Sequence, residues 1–302
     1  MAWKIMSLLV LAVLAVPAVC AGGDTRVVIL GTGTPVPDHS RAGAGVAVIH
    51  KGEAYLFDAG GGVVKRAEEA HATLGIKELE PTRIRHLFFT HLHSDHIHDY
   101  SELSSALWWR REQRLQAWGP KGLAEMTEGM HKKSRVEAVM RARGTPKEVI
   151  SDPENYRVDV TEIDDGIVFR KDDLTIEAFT VPHGDIKPAF GYKITTDDKS
   201  IVISGDTAYS EKVIEMARSV DILIHEVISA KAIADLSEFW QQYHKASHTT
   251  TDQVAEVARM AKPGVLVLTH ILFFGTPADE LLEEVKAGYD GKVILAKDLQ
   301  VF

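Results

Sequence analysis

The feature that most constrains this chain is a repeated one: short apolar runs of strand length that end in histidine or aspartate. "HLFFTHLHSDH", "FTVPHGD", "IVISGDT", "ILIHEV" and "VLVLTH" all have this form. Apolar and β-branched side chains suit a buried pleated surface, whereas His, Asp and Ser favour turns and caps. The carboxyl ends of strands are where α/β proteins gather their sites. A single histidine at such an end reads as a hydrogen-bonded structural residue; the repetition asks for one common purpose.

Further runs of the same length, "RVVILG", "GVAVIH", "EAYLFDAG", "LQAWG", "TIEAFTV", "FGYKIT" and "KVILA", alternate with helical patterns. Those patterns are "GVVKRAEEAHATLG", closed by Gly75, "YSELSSALWWRREQRL", "GLAEMTEGMHKKSRVEAVMRARG", closed by Gly144, and "TTDQVAEVARMAKPG", opened by Thr caps and stopped at Pro263. The alternation predicts a layered α/β architecture with one or two sheets covered by helices. Residues 143–166, "RGTPKEVISDPENYRVDVTEIDDG", are polar and aperiodic and read as a surface excursion inside one domain. "GTGTPVP" lacks the third glycine and the following helix of a phosphate cradle, so it reads as a tight turn.

The first residues, "MAWKIMSLLVLAVLAVPAVCAGGD", hold one early positive charge at Lys4, an apolar stretch and small residues ending at Ala21. That pattern predicts a signal peptide over residues 1–21, a single domain over 22–302 and a secreted or periplasmic protein. The apolar stretch is too short for a comfortable membrane span, so no stable span is expected. The only cysteine, Cys20, falls in the leader. A metal site in the mature chain must then be built from His and carboxylate. The formal charge of -9 argues against a nucleic-acid partner, since a protein living on phosphate backbones usually carries a basic stripe.

In His91-x-His93-x-Asp95-His96 the alternation lets His91 and His93 point the same way, while Asp95 and His96 face a neighbouring position. Neutral imidazole and carboxylate are the ligands zinc accepts when thiolate is absent. The arrangement implies a metal pair, about 3.5 to 4 Å apart in sites of this kind. His98, the last histidine of the run, reads as a solvated residue or one supporting the ligands from behind, rather than as an additional ligand.

These motifs, together with "LGTGTP", "LFDAG", "VPHGDIKPAFGYKI", "SGDT", "LIHEV", "HTTTDQVAEVA" and "LTH", resemble those of the metallo-β-lactamase fold superfamily. More narrowly they are similar to its branch of ribonuclease Z and secreted arylsulfatase-type hydrolases. The resemblance implies a four-layer αββα sandwich and two zinc ions per chain. It places His91, His93 and His183 on one metal and Asp95, His96 and His270 on the other, with Asp206 bridging. It implies that His248, oriented by Glu226, faces the substrate and acts with Asp95 in catalysis, and that Asp58 lies beneath the metal loop. The chemistry implied is attack by a water held as hydroxide between two metals, with the metals offsetting charge on the ester and His248 protonating the leaving oxygen.

Ribonuclease Z carries a long arm between its Gly-Tyr segment and the bridging aspartate, where this chain has only "GYKITTDDKSIVISGD". No arginine follows the final histidine, in "THILFFG". These departures led to the expectation of a small-molecule ester substrate, an aryl sulfate first, with transfer-RNA processing set aside. Tyr100, Trp108 and Trp109 stood as an apolar wall for the aryl group, against the competing reading of ordinary core packing. Hydrolysis of small phosphodiesters, opening of β-lactams or lactones, and a non-catalytic metal-binding role in the envelope stayed open, as did a homodimer.

Overall fold

The computed structural model describes residues 24–150 and 152–302. The leader assigned to residues 1–21 lies outside them. Two sheets form the centre. The first has the order β1 (Thr25–Gly31), β2 (Gly45–His50), β3 (Glu53–Phe57), β4 (His86–Phe88), β5 (Leu115–Gly119), β6 (Val158–Glu162). Its first three strands are antiparallel, and β3 through β6 run parallel. The second has β7 (Gly166–Lys171), β8 (Leu174–Thr180), β9 (Phe190–Thr195), β10 (Ser200–Ile203), β11 (Ile222–Ile228), β12 (Val265–Leu272) and β13 (Val293–Leu295) in sequence order. Here β7 to β10 are antiparallel and β10 to β13 parallel.

Each sheet buries both faces, which is why its strands read as continuous apolar runs. On β1 the two-residue period sends Val28 and Leu30 to an outer core and Val27 and Ile29 to the layer between the sheets. The outer core of the first sheet includes Val64 and Ala67 of α1 (Val63–Leu74) and Met130 of α4 (Leu123–Gly144). The middle layer joins Phe57 and Phe88 of the first sheet to Tyr192, Ile201, Ile224 and Val267 of the second. The outer core of the second sheet is filled by α5 (Glu211–Met216), α8 (Thr251–Ala261) and α9 (Ala278–Lys286). Helix, sheet, sheet, helix is the four-layer αββα sandwich.

Short helices complete the chain: α2 (Ser94–Ile97), α3 (Tyr100–Ser105), α6 (Ala230–Ala234) and α7 (Glu238–Ser247). The long helix expected from Tyr100 to Leu115 stops at Ser105, and Leu107 takes a left-handed φ of 52°. Packing wins over pattern here. Trp108 turns inward against Ala138 and Tyr156, and buried Arg111 donates to the carbonyls of Pro81, Ile84 and Leu103. The stretch 143–166, expected as a surface excursion, contains β6 and leads directly into β7. An edge strand with Val158 as its one buried residue has no apolar run to announce it.

Candidate metal centre

The ligand positions come from the strand ends. The turn after β4 carries His91 and His93 into α2, where Asp95 and His96 sit in its first turn. This loop lies against the turn after β3 so closely that a Cβ on Gly60 would fall 2.2 Å from the Asp95 carbonyl oxygen. Only glycine fits there. Asp206 follows Gly205, whose φ of 62° turns the chain at the end of β10. His270 is itself at φ 42°, at the register shift between β11 and β12, so a bulge re-aims its ring at the end of the strand.

Their reactive atoms converge. His91 Nε2 lies 3.0 Å from His93 Nδ1, and His183 Nε2 lies 3.2 Å from that same atom. Asp95 Oδ2 is 3.1 Å from His270 Nε2 and 3.5 Å from His96 Nε2. Asp206 Oδ2 is 3.5 Å from His96 Nε2 and 3.4 Å from His270 Nε2. The sets His91/His93/His183, His91/His96/Asp206 and Asp95/His96/His270 each hold their ligand atoms within 4.8 Å of one another.

The surrounding hydrogen bonds orient these rings. Asp58, buried and at φ 60°, accepts from the Thr90 amide and hydroxyl at 2.8 Å each, and its Oδ2 is 2.8 Å from His96 Nδ1. The Thr90 hydroxyl in turn lies 3.0 Å from His91 Nδ1. His183 Nδ1 faces the Ser247 carbonyl at 2.7 Å. The second nitrogen of His91, His96 and His183 is thus left pointing into the cluster, an arrangement that fixes tautomer and basicity for a metal.

The donor set fits a cation. His96 Nε2 and Asp206 Oδ1 are buried without a hydrogen-bond partner among the described residues, a cost that a buried polar group does not carry without reason. Burial pushes the pKa of His91 well below its ordinary value and lowers those of His93 and His183, keeping the neutral form that binds metal. Burial also pulls on His96, but the Asp206 and Asp58 carboxylates outweigh it and raise its pKa. Burial opposes ionisation of Asp206, yet the His270 and His96 rings hold its pKa well below the carboxylate range. Positive charge is therefore favoured between these carboxylates.

Beside the cluster, His248 Nδ1 stands 3.4 Å from Glu226 Oε2, while Glu226 Oε1 accepts from the Thr249 amide at 2.7 Å. Burial lowers the His248 pKa, but the Glu226 carboxylate prevails and leaves it raised. The His248 ring is 5.4 Å from His183 and 5.9 Å from His270, centroid to centroid.

Three expected residues are elsewhere. Tyr100 is buried against Phe89 with its hydroxyl on Thr127; Trp108 is buried with its Nε1 donating to Glu137 at 2.8 Å; Trp109 lies under the Arg141 guanidinium at 3.7 Å. They do not wall the metal cluster, because Trp108 and Trp109 leave the helix and pack against α4 and its neighbours. His98 is exposed, and Asp99 accepts from the Val64 amide at the start of α1. The aromatic residues that do adjoin the cluster went unnoticed in the sequence. On α7, Trp240 and His244 precede His248 at steps of four, the spacing that stacks side chains on one helical face. The Trp240 and His244 rings are 6.0 Å apart, and His244 and His248 6.1 Å.

Comparison with known proteins matches residues 53–271 to the model of a family described as "Beta-lactamase superfamily domain". A ribonuclease Z of Mycolicibacterium gilvum is 32% identical over 259 residues, spanning 84% of this chain and 87% of the relative. Among solved structures, the metallo-beta-lactamase fold protein YhfI of Bacillus subtilis aligns with a TM-score of 0.70 at 20% identity, over 92% of this chain and 98% of that one. The short form of human tRNase Z aligns at 0.65 and 22% identity, over 92% and 98%.

These findings overturn the expectation of an aryl sulfate hydrolase for which transfer RNA was an improbable substrate, together with the exclusion of nucleic-acid partners. The β9–β10 hairpin is as short as expected, closing through residues 196–199. Net charge averages over the whole surface, whereas a phosphodiester would meet its countercharge locally, at a metal held by the cage. Nothing here favours a small-molecule ester. Among the described residues no helix is long and apolar enough to cross a membrane.

Proposed function

The chain belongs to the β-lactamase superfamily and is a metal-dependent hydrolase; from that premise we propose that it cleaves RNA phosphodiester bonds, transfer RNA being the first substrate to try. One observation carries this reading: the family match over 53–271 contains the whole cage from His91 to His270, in a chain 32% identical to a ribonuclease Z.

In this reading His91, His93 and His183 would hold one divalent ion and Asp95, His96 and His270 a second, with Asp206 within reach of either set. Zinc suits a set of imidazoles and carboxylates without thiolate. Metal ions there supply Lewis acidity and a water of lowered pKa. Asp58 and Thr90 hold the His96 and His91 rings in register. His248, beside the cage and paired with Glu226, is positioned to donate a hydrogen bond to the phosphodiester and a proton to the departing oxygen, a role that contributes on the order of 10²–10⁴-fold. Glu226 keeps the other face of that imidazole oriented and favours its charged form.

The test is cleavage of a precursor transfer RNA with a 3′ extension by zinc-loaded protein, beside an aryl sulfate and the His248→Ala variant. We expect defined RNA cleavage that falls at least a hundredfold in the variant, on the order that loss of a proton donor implies. RNA left intact would rule the reading out; RNA cut equally well by the variant would remove His248 from the mechanism.

A further inference from the structure

Outside the cage, the most unusual surface is the one that α7 presents. Phe239, Trp240 and Tyr243 are 68%, 49% and 51% exposed, and Phe274, from the turn after β12, is 47% exposed. Scattered exposed hydrophobics are ordinary, but a contiguous cluster marks a contact site. The rings are in mutual contact: Phe239 and Trp240 at 5.2 Å, Trp240 and Tyr243 at 5.5 Å, and His244 and Phe274 at 4.8 Å between centroids.

His244 links this surface to the site. It is 8% exposed, its Nδ1 is buried without a hydrogen-bond partner among the described residues, and its ring lies between Trp240 and His248. A buried donor or acceptor left unsatisfied is costly unless something else meets it. Aromatic rings therefore run in contact from solvent to His248, and from His248 to the ligands His183 and His270.

The chemistry of the surface selects its occupant. Residues 238–247, "EFWQQYHKAS", contain no Leu, Ile, Val or Met, so this helix offers ring faces rather than aliphatic side chains, and those rings lead to His248 beside the proposed RNA-cleaving site. Flat π faces with polar edges suit a flat heteroaromatic partner instead. Lys245, exposed one residue beyond His244, carries positive charge about 100° around the helix axis from that ring. Single-stranded nucleic acid is bound in this way, by bases stacked on aromatic side chains beside cationic groups.

We propose that Trp240, Tyr243, His244 and Phe274 form a stacking subsite for an unpaired nucleobase next to the scissile phosphodiester. The inference rests on the RNA-cleaving reading above and adds to it a place where a flanking nucleotide is held. Recognition there is by stacking and is tolerant of base identity, because every base has a π face.

The experiment measures binding by fluorescence anisotropy and cleavage by kcat/KM, using RNAs with a single-stranded 3′ extension and the same RNAs with an abasic nucleotide at each position flanking the cut. Trp240→Ala and, separately, Phe274→Ala are expected to weaken binding of the intact RNA by about tenfold, the scale of one lost base stack. One abasic position should weaken wild-type binding to the same degree and leave Trp240→Ala unaffected, because the two changes remove the same contact. Trp240→Phe should keep most of the affinity, and Val136→Ala, an exposed apolar change on α4, all of it. Equal binding and cleavage by wild type and Trp240→Ala would overturn the subsite while leaving the proposed function standing. A wild type that neither binds nor cleaves RNA would overturn both. A wild-type dimer that Trp240→Ala converts to monomer would reassign the surface to a second copy of the chain.

Discussion

At the scale of residues, the centre depends on side chains that touch no ligand as much as on those that would. Asp58 takes three hydrogen bonds from a strained φ of 60°, and through them it sets both His96 and the Thr90 hydroxyl that faces His91. Replacing it with alanine frees two rings at once. Asp58→Ala is predicted to weaken zinc affinity by about 10- to 100-fold, the usual range for partners behind metal ligands, measured by competition with a chromophoric chelator. Unchanged affinity would mean that the cage orients itself. The division of the cage residues between two metals was what the resemblance implied; that these histidines and aspartates would gather was legible in the sequence because each sits at a strand end, where an apolar run makes it conspicuous. The expected apolar wall was not, because nothing in "LWWRR" tells that Leu107 adopts a left-handed conformation and that Trp108 turns into the core. Trp240 and His244 carried a readable signal, the step of four that ends on His248, but it lay in a helix too polar to stand out.

At the scale of elements, the position of His248 is set by a junction. α7 ends with the His248 amide donating to the His244 carbonyl at 2.7 Å, and the N-cap of α8 follows two residues later in a capping box of Thr250 and Gln253. The cap therefore fixes the backbone that carries His248, the proposed proton donor. Thr250→Ala should cost about 1 kcal/mol of stability in urea melts, the ordinary value of an N-cap side chain. It should also lower kcat more than it raises KM, since it moves His248 while leaving the cage intact. A loss of stability with kcat untouched would detach the cap from catalysis. Most strands were readable because both sheets bury both faces. β6 and β7 were the exceptions: one inward valine in an edge strand gives no periodicity, β7 is half-exposed along its length, and so the crossing from the first sheet to the second was taken for a surface excursion.

At the scale of the whole molecule, chemistry and stability separate to opposite ends of the first sheet. His91 follows the carboxyl end of β4, while His86 begins it, stacked on Tyr55 at 5.1 Å, with neither ring nitrogen hydrogen-bonded among the described residues and Nε2 3.6 Å from Glu53 Oε2. Burial lowers the His86 pKa from 6.5 to about 4. The unfolded chain then binds a proton that the folded chain refuses, so the stability associated with His86 is complete above about pH 6.5, falls as the pH drops toward 4 and is flat below that. The loss amounts to about 3 kcal/mol, on the order of 1.4 kcal/mol per pKa unit. His86→Phe should remove this component, so denaturant melts of variant and wild type should diverge between pH 6.5 and 4. Parallel curves would contradict it. The proposed leader makes its own prediction: protein recovered from the cell envelope should begin at Gly22, and an N-terminus at Met1 or Ala2 would refute export by cleavage after Ala21. The central claim is the paired metal cage assembled from distant strand ends, and its most direct test is the zinc content of the purified chain after stripping, reloading and dialysis. The account predicts two zinc ions per wild-type chain and at least one fewer in His93→Ala; a wild-type chain that retains none would contradict it.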